Sequence, residues 1–162
     1  MNYLVSYYPL CATSSGRKAV KRHKLPPFID GSCRREPDFE LERPAITGLC
    51  RPGFSKRLKE GEKIIYVTNL KDLDCRKFIG VFEVIKSVPN HESAAEWYHQ
   101  NNFPLPSNIM VDGNEPIELD KTHQMMGWDN WVGKSCDTVE CWDAGYQKRS
   151  IDNPDVAICK HW

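Results

Sequence analysis

Apolar and polar positions along this chain fall into short runs divided by glycine, proline and asparagine. Tyr3–Tyr8 (YLVSYY) reads as a first strand, rich in tyrosine and valine. Residues 9–43 break that pattern at Pro9, Gly16, Pro26-Pro27, Asp30-Gly31 and Pro37. A structureless loop of that length is uncommon inside a compact domain, so it holds either a short helix near Lys18–His23 or a functional lid. Pro44–Leu49 reads as a short extended segment, and Phe54–Leu58 as one helical turn. Gly61 closes a turn before Lys63–Val67, a β-branched and aromatic run. In Phe78–Ile85, Ile79, Val81 and Ile85 stand against Phe82 and Val84 on alternate positions. Apolar residues on both faces predict burial on both sides, as in a small closed barrel. Gly80 within that run marks a bulge or a close backbone approach.

Asn90 is a good N-cap for a helix over His91–Gln100, whose apolar stripe is Ala94, Ala95, Trp97 and Tyr98. Trp97 is expected in the core. Asn108–Val111 followed by Asp112-Gly113 reads as a strand entering a hairpin turn. Beyond Lys121 periodicity of either kind fades, and His123–Ser150 holds three of the five tryptophans. The predicted organisation is therefore one domain over 1–123 and an irregular extension over 124–162 packed upon it.

Composition narrows the function classes. At 162 residues one domain is expected, and 40% hydrophobic with 27% charged residues suits a soluble globular protein. A mean hydropathy of -0.57 agrees. No apolar run reaches the ~18 residues of a membrane span. The opening MNYLVSYYPLCA lacks a basic leader and a long apolar region, so a cytoplasmic protein is expected. Seven cysteines, an odd number, then read as reduced thiols. A formal net charge of zero argues against a broad sequence-independent phosphate surface. Locally, Arg17, Lys18, Lys21, Arg22 and Lys24 form a basic strip, and Glu36, Asp38, Glu40 and Glu42 an acidic segment after it. The strip is either a small nucleic-acid or nucleotide-phosphate footprint or a solvated loop.

Several motifs follow one another in a suggestive order. Leu4–Ser6 is followed by Gly48-Leu49-Cys50-Arg51, by Gly61-Glu62 before Ile64–Thr68, and by Ile79-Gly80-Val81-Phe82-Glu83-Val84. This order, over about half of the chain, resembles the EVE branch of the PUA-like superfamily, which also includes YTH and ASCH domains. Here the arginine stands one residue later, the loop from Leu49 to Gly61 is shorter, and Pro44-Ala45-Ile46 replaces a usual tryptophan. The segments DGSCRREPDFE and LPSN further resemble nucleotide-modification-associated domains of phage and bacterial gene clusters. The resemblance implies an α+β fold: a small PUA-like β-barrel of five to seven strands, flanking helices and a C-terminal extension. It also implies a single, often modified, nucleobase held in the barrel.

A base taken out of its stack must regain stacking and hydrogen bonds. Strand ends deliver suitable groups: Ser6, Tyr7, Tyr8, Thr47, Arg51, Thr68 and Asn69. Arg51 is suited to clamp a phosphate or ring oxygen bidentately, or else to pair with a carboxylate such as Glu83. Asn108, after a rigid Pro-Leu-Pro segment and Ser107, reads a base edge or caps a turn. Trp128 and Trp131, with Trp142, form an aromatic cage or seal a core.

ASCH-type amidohydrolases unite a lysine, a threonine and a glutamate in the pocket. Lys63 or Lys77, Thr47 or Thr68, and Glu83 are the candidates here, with Glu83 alternatively a solvent-facing strand residue. Phosphate-loop, dinucleotide, serine-hydrolase and zinc-protease signatures are all missing. Cys136-x4-Cys141 with Cys159-x-His161 departs from structural-zinc spacing, so no metal and no cofactor are expected. Cys50 sits at a glycine turn without a marked histidine partner. His91, opening its helix, is expected to have its pKa lowered by the helix dipole. The leading expectation is a binding module for nucleic acid or a free nucleotide. A small hydrolase or transferase acting on a modified nucleoside, and a protein-interaction module, are the alternatives.

Overall fold

A computed structural model describes residues 1–12, 14–24, 27, 37, 39, 42–47, 53–70, 75–106, 108–114 and 144–162. The described strands are β1 (Asn2–Ser6), β2 (Ala45–Thr47), β3 (Lys63–Leu70), β4 (Cys75–Val88) and β5 (Val156–His161). The helices are α1 (Ser14–His23), α2 (His91–Gln100) and α3 (Ala144–Asp152), with short 3-10 turns at Leu10–Ala12 and Ser55–Arg57. The strands form one sheet in the order β1-β3-β4-β5-β2. β1 runs parallel to β3, and every other pairing is antiparallel. The fold is thus mixed α+β, and among the described residues the sheet is open, with β1 and β2 at its edges.

Strand alternation gives the sheet two faces. The register aligns Val5 with Tyr66, Ile64 with Phe82, Val84 with Cys159, and Ala45 with Cys159. Those side chains, with Tyr7, Leu58 and Ala157, form the core of the first face. On the second face Ile46, Val156 and Ile158 lie beneath Ala94, Ala95 and Tyr98 of α2, joined by Ile109 and Met110. Two bulges on β4, where Ile79 and Ile85 are the extra residues, reset its alternation. After the second bulge Ile85 and Val88 turn to the α2 core, while the Ser87 hydroxyl donates to the Leu58 carbonyl at 3.0 Å on the other side.

α2 begins as the sequence predicts, with the Asn90 Oδ1 accepting the Ser93 N–H at 2.8 Å. It is tied to the sheet edge by Tyr98, fully buried, whose hydroxyl donates to the Pro44 carbonyl at 2.5 Å. Burial pushes the Tyr98 phenol pKa upward. Trp97 is only partly buried and packs on the margin of this core.

Three expectations need correction. Asn108–Val111 is not a strand. Its backbone is satisfied locally, with Ile109 N–H bonded to the Pro106 carbonyl at 3.0 Å, and Ile109 and Met110 plug the α2 core instead. The apolar spacing that suggested a strand serves burial without a partner strand. Phe78 is 67% exposed, so the run Phe78–Ile85 is not buried on both faces throughout. Finally, Val156–His161 is not irregular but enters the sheet between β4 and β2. Val156, Ala157, Ile158 and Cys159 are all buried, as a central strand requires, and this unbroken run carries no alternation to announce it.

Candidate functional site

Two aromatic regions occupy opposite faces of the sheet near β1. On the first face the rings of Tyr7, Tyr66 and Phe82 surround that of Phe39. Phe39 stacks on Phe82 at 5.2 Å between centroids and meets Tyr7 and Tyr66 edge-on at 4.9 and 5.1 Å. Gly80 lies opposite Tyr66, and a methyl built there would stand 3.5 Å from the Phe39 ring. The close approach expected at Gly80 is that of Phe39, an aromatic residue the sequence reading did not single out. Its only local signal is an apolar ring amid Asp38 and Glu40.

Hydroxyl groups close this box. Thr47 and Tyr66 are hydrogen-bonded through their side-chain oxygens, and the Ser55 hydroxyl donates to the Thr47 carbonyl at 3.4 Å. The Tyr7 hydroxyl donates to the Pro37 carbonyl at 3.4 Å. Tyr7 and Thr47, both candidate ligand residues, are therefore brought onto one face, yet both are buried, Tyr7 against Phe39 and Thr47 bonded to Tyr66.

An open cleft of about 270 Å³ lies where β1 ends, lined by Leu4, Ser6, Tyr8, Val67, Thr68 and Arg76. Ser6 and Arg76 are exposed, and Tyr8 is 54% exposed. Thr68 borders both regions, since its register puts it on the Tyr66 face while it also lines the cleft. It is fully buried, and its Oγ1 has no hydrogen-bond partner among the described residues. An unsatisfied buried hydroxyl costs about 1–3 kcal/mol. Arg76 was missed in the sequence, where it is one of two cations opening the run Arg76-Lys77-Phe78. Its pairing with Asn69 across β3 and β4 places it beside the cleft.

The other candidates are dispersed. Lys63 and Glu83 are direct cross-strand partners on the second face, and Glu83 is ion-paired to Lys160 at 3.3 Å. Thr47 is on the first face, so these three do not form one cluster. Lys77 is exposed and paired in register with Thr68. Asn69 belongs to β3, with its side chain outside the described residues. Asn108 is buried in the segment that packs under α2, apart from both aromatic regions. Arg51, Trp128, Trp131, Trp142, Cys50, Cys136 and Cys141 lie outside the described residues. Cys159 is buried, and the His161 ring lies 4.6 Å from that of Phe82. Among the described residues no three potential ligands converge as a metal site.

His91 is buried, and its Nδ1 accepts the Met110 N–H at 2.9 Å. Its pKa is lowered to about 4 by desolvation, not by the helix dipole invoked from the sequence. Among the described residues no helix is long and apolar enough to cross a membrane. No family model, curated protein or solved structure matches the chain.

Proposed function

We propose that this chain is a binding module for a nucleobase-containing ligand, nucleotide or nucleic acid, and that the ligand is received in the cleft at the end of β1. The observation that carries this reading is the composition of that cleft: the exposed Tyr8 ring, the Arg76 guanidinium, the Ser6 hydroxyl and the Thr68 hydroxyl, without a partner among the described residues, around about 270 Å³. An aromatic face restores stacking worth about 1–3 kcal/mol per base. A guanidinium pairs bidentately with phosphate, and hydroxyls both donate to and accept from base edges. The volume lies near the lower bound of ligand pockets, roughly 300 Å³, which suits one base better than a dinucleotide.

This reading moves the ligand away from Tyr7 and Thr47, because both are buried and Phe39 packs on Tyr7, Tyr66 and Phe82. The box becomes a rigid backing for β1 and β3, whose ends form the cleft. The resemblance to PUA-like domains, and the small barrel it implies, belongs to the same proposal. Separation of Thr47 from Lys63 and Glu83 by the thickness of the sheet favours binding over lysine–threonine–glutamate hydrolysis.

Calorimetric titration with the common nucleoside 5′-monophosphates tests the reading. Saturable binding is expected, weakened about tenfold or more by Arg76→Gln, which removes a charge-assisted pair, and similarly by Tyr8→Ala. Absence of binding by any of them, or binding indifferent to both substitutions, overturns it.

A further inference from the structure

Among the described residues, α2 covers only one half of the second face of the sheet. α2 packs over its β5–β2 side, through Ala94, Ala95 and Tyr98 on Ile46, Val156 and Ile158. Over β1, β3 and β4 the same face carries cross-strand rows that the register defines. One is Leu4, Ile65 and Val81, extended by Trp162, whose N–H bonds the Val81 carbonyl at 3.0 Å. The next is Ser6, Val67 and Phe78, and beyond it stands Arg76 at the cleft. Leu4, Phe78 and Trp162 are 69%, 67% and 70% exposed. Among the described residues three cations border these rows, Arg76 at one end and Lys63 and Lys160 at the other, against the one carboxylate of Glu83, which is ion-paired to Lys160. Lys63 lies over the Trp162 ring, with its Nζ 3.5 Å from the centroid.

We infer that the ligand of the cleft is part of a single-stranded nucleic acid, whose neighbouring nucleotides run from the cleft across this open half-face. The inference rests on the proposed reading of the cleft and adds to it the class of ligand. Exposed rings spread over a sheet, with cations at their margin, are what a strand with free base faces and a charged backbone needs. The Phe78 and Trp162 rows are two residues apart on β1 and β3, Leu4 to Ser6 and Ile65 to Val67, so they stand roughly 7 Å apart along the strands at about 3.3 Å per residue. Stacking on Tyr8, Phe78 and Trp162 in turn requires unpaired bases, because a duplex hides base faces within its own stack. The excess of positive charge suits phosphates, and it distinguishes this patch from the chain as a whole, whose formal net charge is zero.

The test is fluorescence anisotropy with labelled oligothymidylate and oligouridylate of about eight nucleotides. Parallel titrations use thymidine and uridine 5′-monophosphates, and sedimentation follows the protein alone. Phe78→Ala and Trp162→Ala are suitable variants, since both rings are exposed and circular dichroism verifies their fold. At least one oligonucleotide is expected to bind ten times more tightly than its mononucleotide, or better. Each substitution should weaken the oligonucleotide about fivefold to tenfold and leave the mononucleotide unchanged. If the mononucleotide binds and neither oligonucleotide binds more tightly, this inference fails and the cleft reading stands. If neither kind of ligand binds, both fail. Oligonucleotide binding unaffected by both substitutions also overturns the inference. So does a protein dimer that Phe78→Ala dissociates without changing oligonucleotide affinity, which would assign the face to self-association.

Discussion

On one side of the sheet Tyr7, Phe39, Tyr66 and Phe82 bury their rings against one another, while on the other Tyr8, Phe78 and Trp162 stand in solvent. Tyr7 and Tyr8 are neighbours in the sequence, as are Tyr66 and Val67, and alternation sends each pair to opposite faces. Aromatic content therefore says little about which rings hold the fold and which are available to a ligand. Cover decides it. The first face receives Phe39 and the Leu58 turn, and the second receives α2 over only half its width. The available rings are those beyond the reach of that helix.

Stability measurements sharpen this contrast. Phe82→Ala, which removes the fully buried ring on which Phe39 stacks, should lower unfolding free energy by about 3–5 kcal/mol in urea titration. Phe78→Ala, four residues earlier on the same strand, should change it by no more than about 0.5 kcal/mol. Equal losses would mean that the second face is packed after all.

Next in size is a pH effect from the covered half of the second face. His91 has its pKa lowered from 6.5 to about 4, so the unfolded chain binds its proton more readily than the folded one. Stability from keeping this ring neutral is complete above about pH 6.5 and is lost as pH falls towards 4, by about 3 kcal/mol in all. Thermal melts at pH 7 and 5 should show the decline, and His91→Asn should flatten it. An unchanged slope in that variant would assign the pH dependence elsewhere.

Removing the α2 cap by Asn90→Ala should cost about 1 kcal/mol, without altering ligand affinity at the cleft. Thr68→Val separates stability from binding most finely. The hydroxyl has no partner among the described residues, so its loss should leave the melting temperature unchanged or slightly raised. Nucleotide affinity at the cleft should fall all the same. A clear drop in stability would show that Thr68 serves the fold and not the ligand.

How much of this was legible depended on the range of the interaction concerned. The Asn90 cap, the Gly61 turn and the strand at Lys63 follow from neighbouring residues, so they could be read locally. Gly80 could be recognised as a place of close approach, but not by whom, because Phe39 arrives from far along the chain. β5 was hidden by its own centrality, since a strand buried on both faces shows neither alternation nor helical period. For the site, Ser6, Tyr8 and Thr68 were singled out as strand-end residues. Arg76 was passed over because its place beside them depends on the β3–β4 register.

The sequence by itself determined the local elements and the supply of aromatic, hydroxyl and cationic side chains, because capping, turn geometry and strand preference act over a few residues. Only the tertiary structure decided which tyrosine is packed and which is presented, that Phe39 packs among Tyr7, Tyr66 and Phe82, and that Arg76 joins Tyr8. Those outcomes depend on strand order and register, which arise from contacts between segments distant in the chain and leave no period of their own in it.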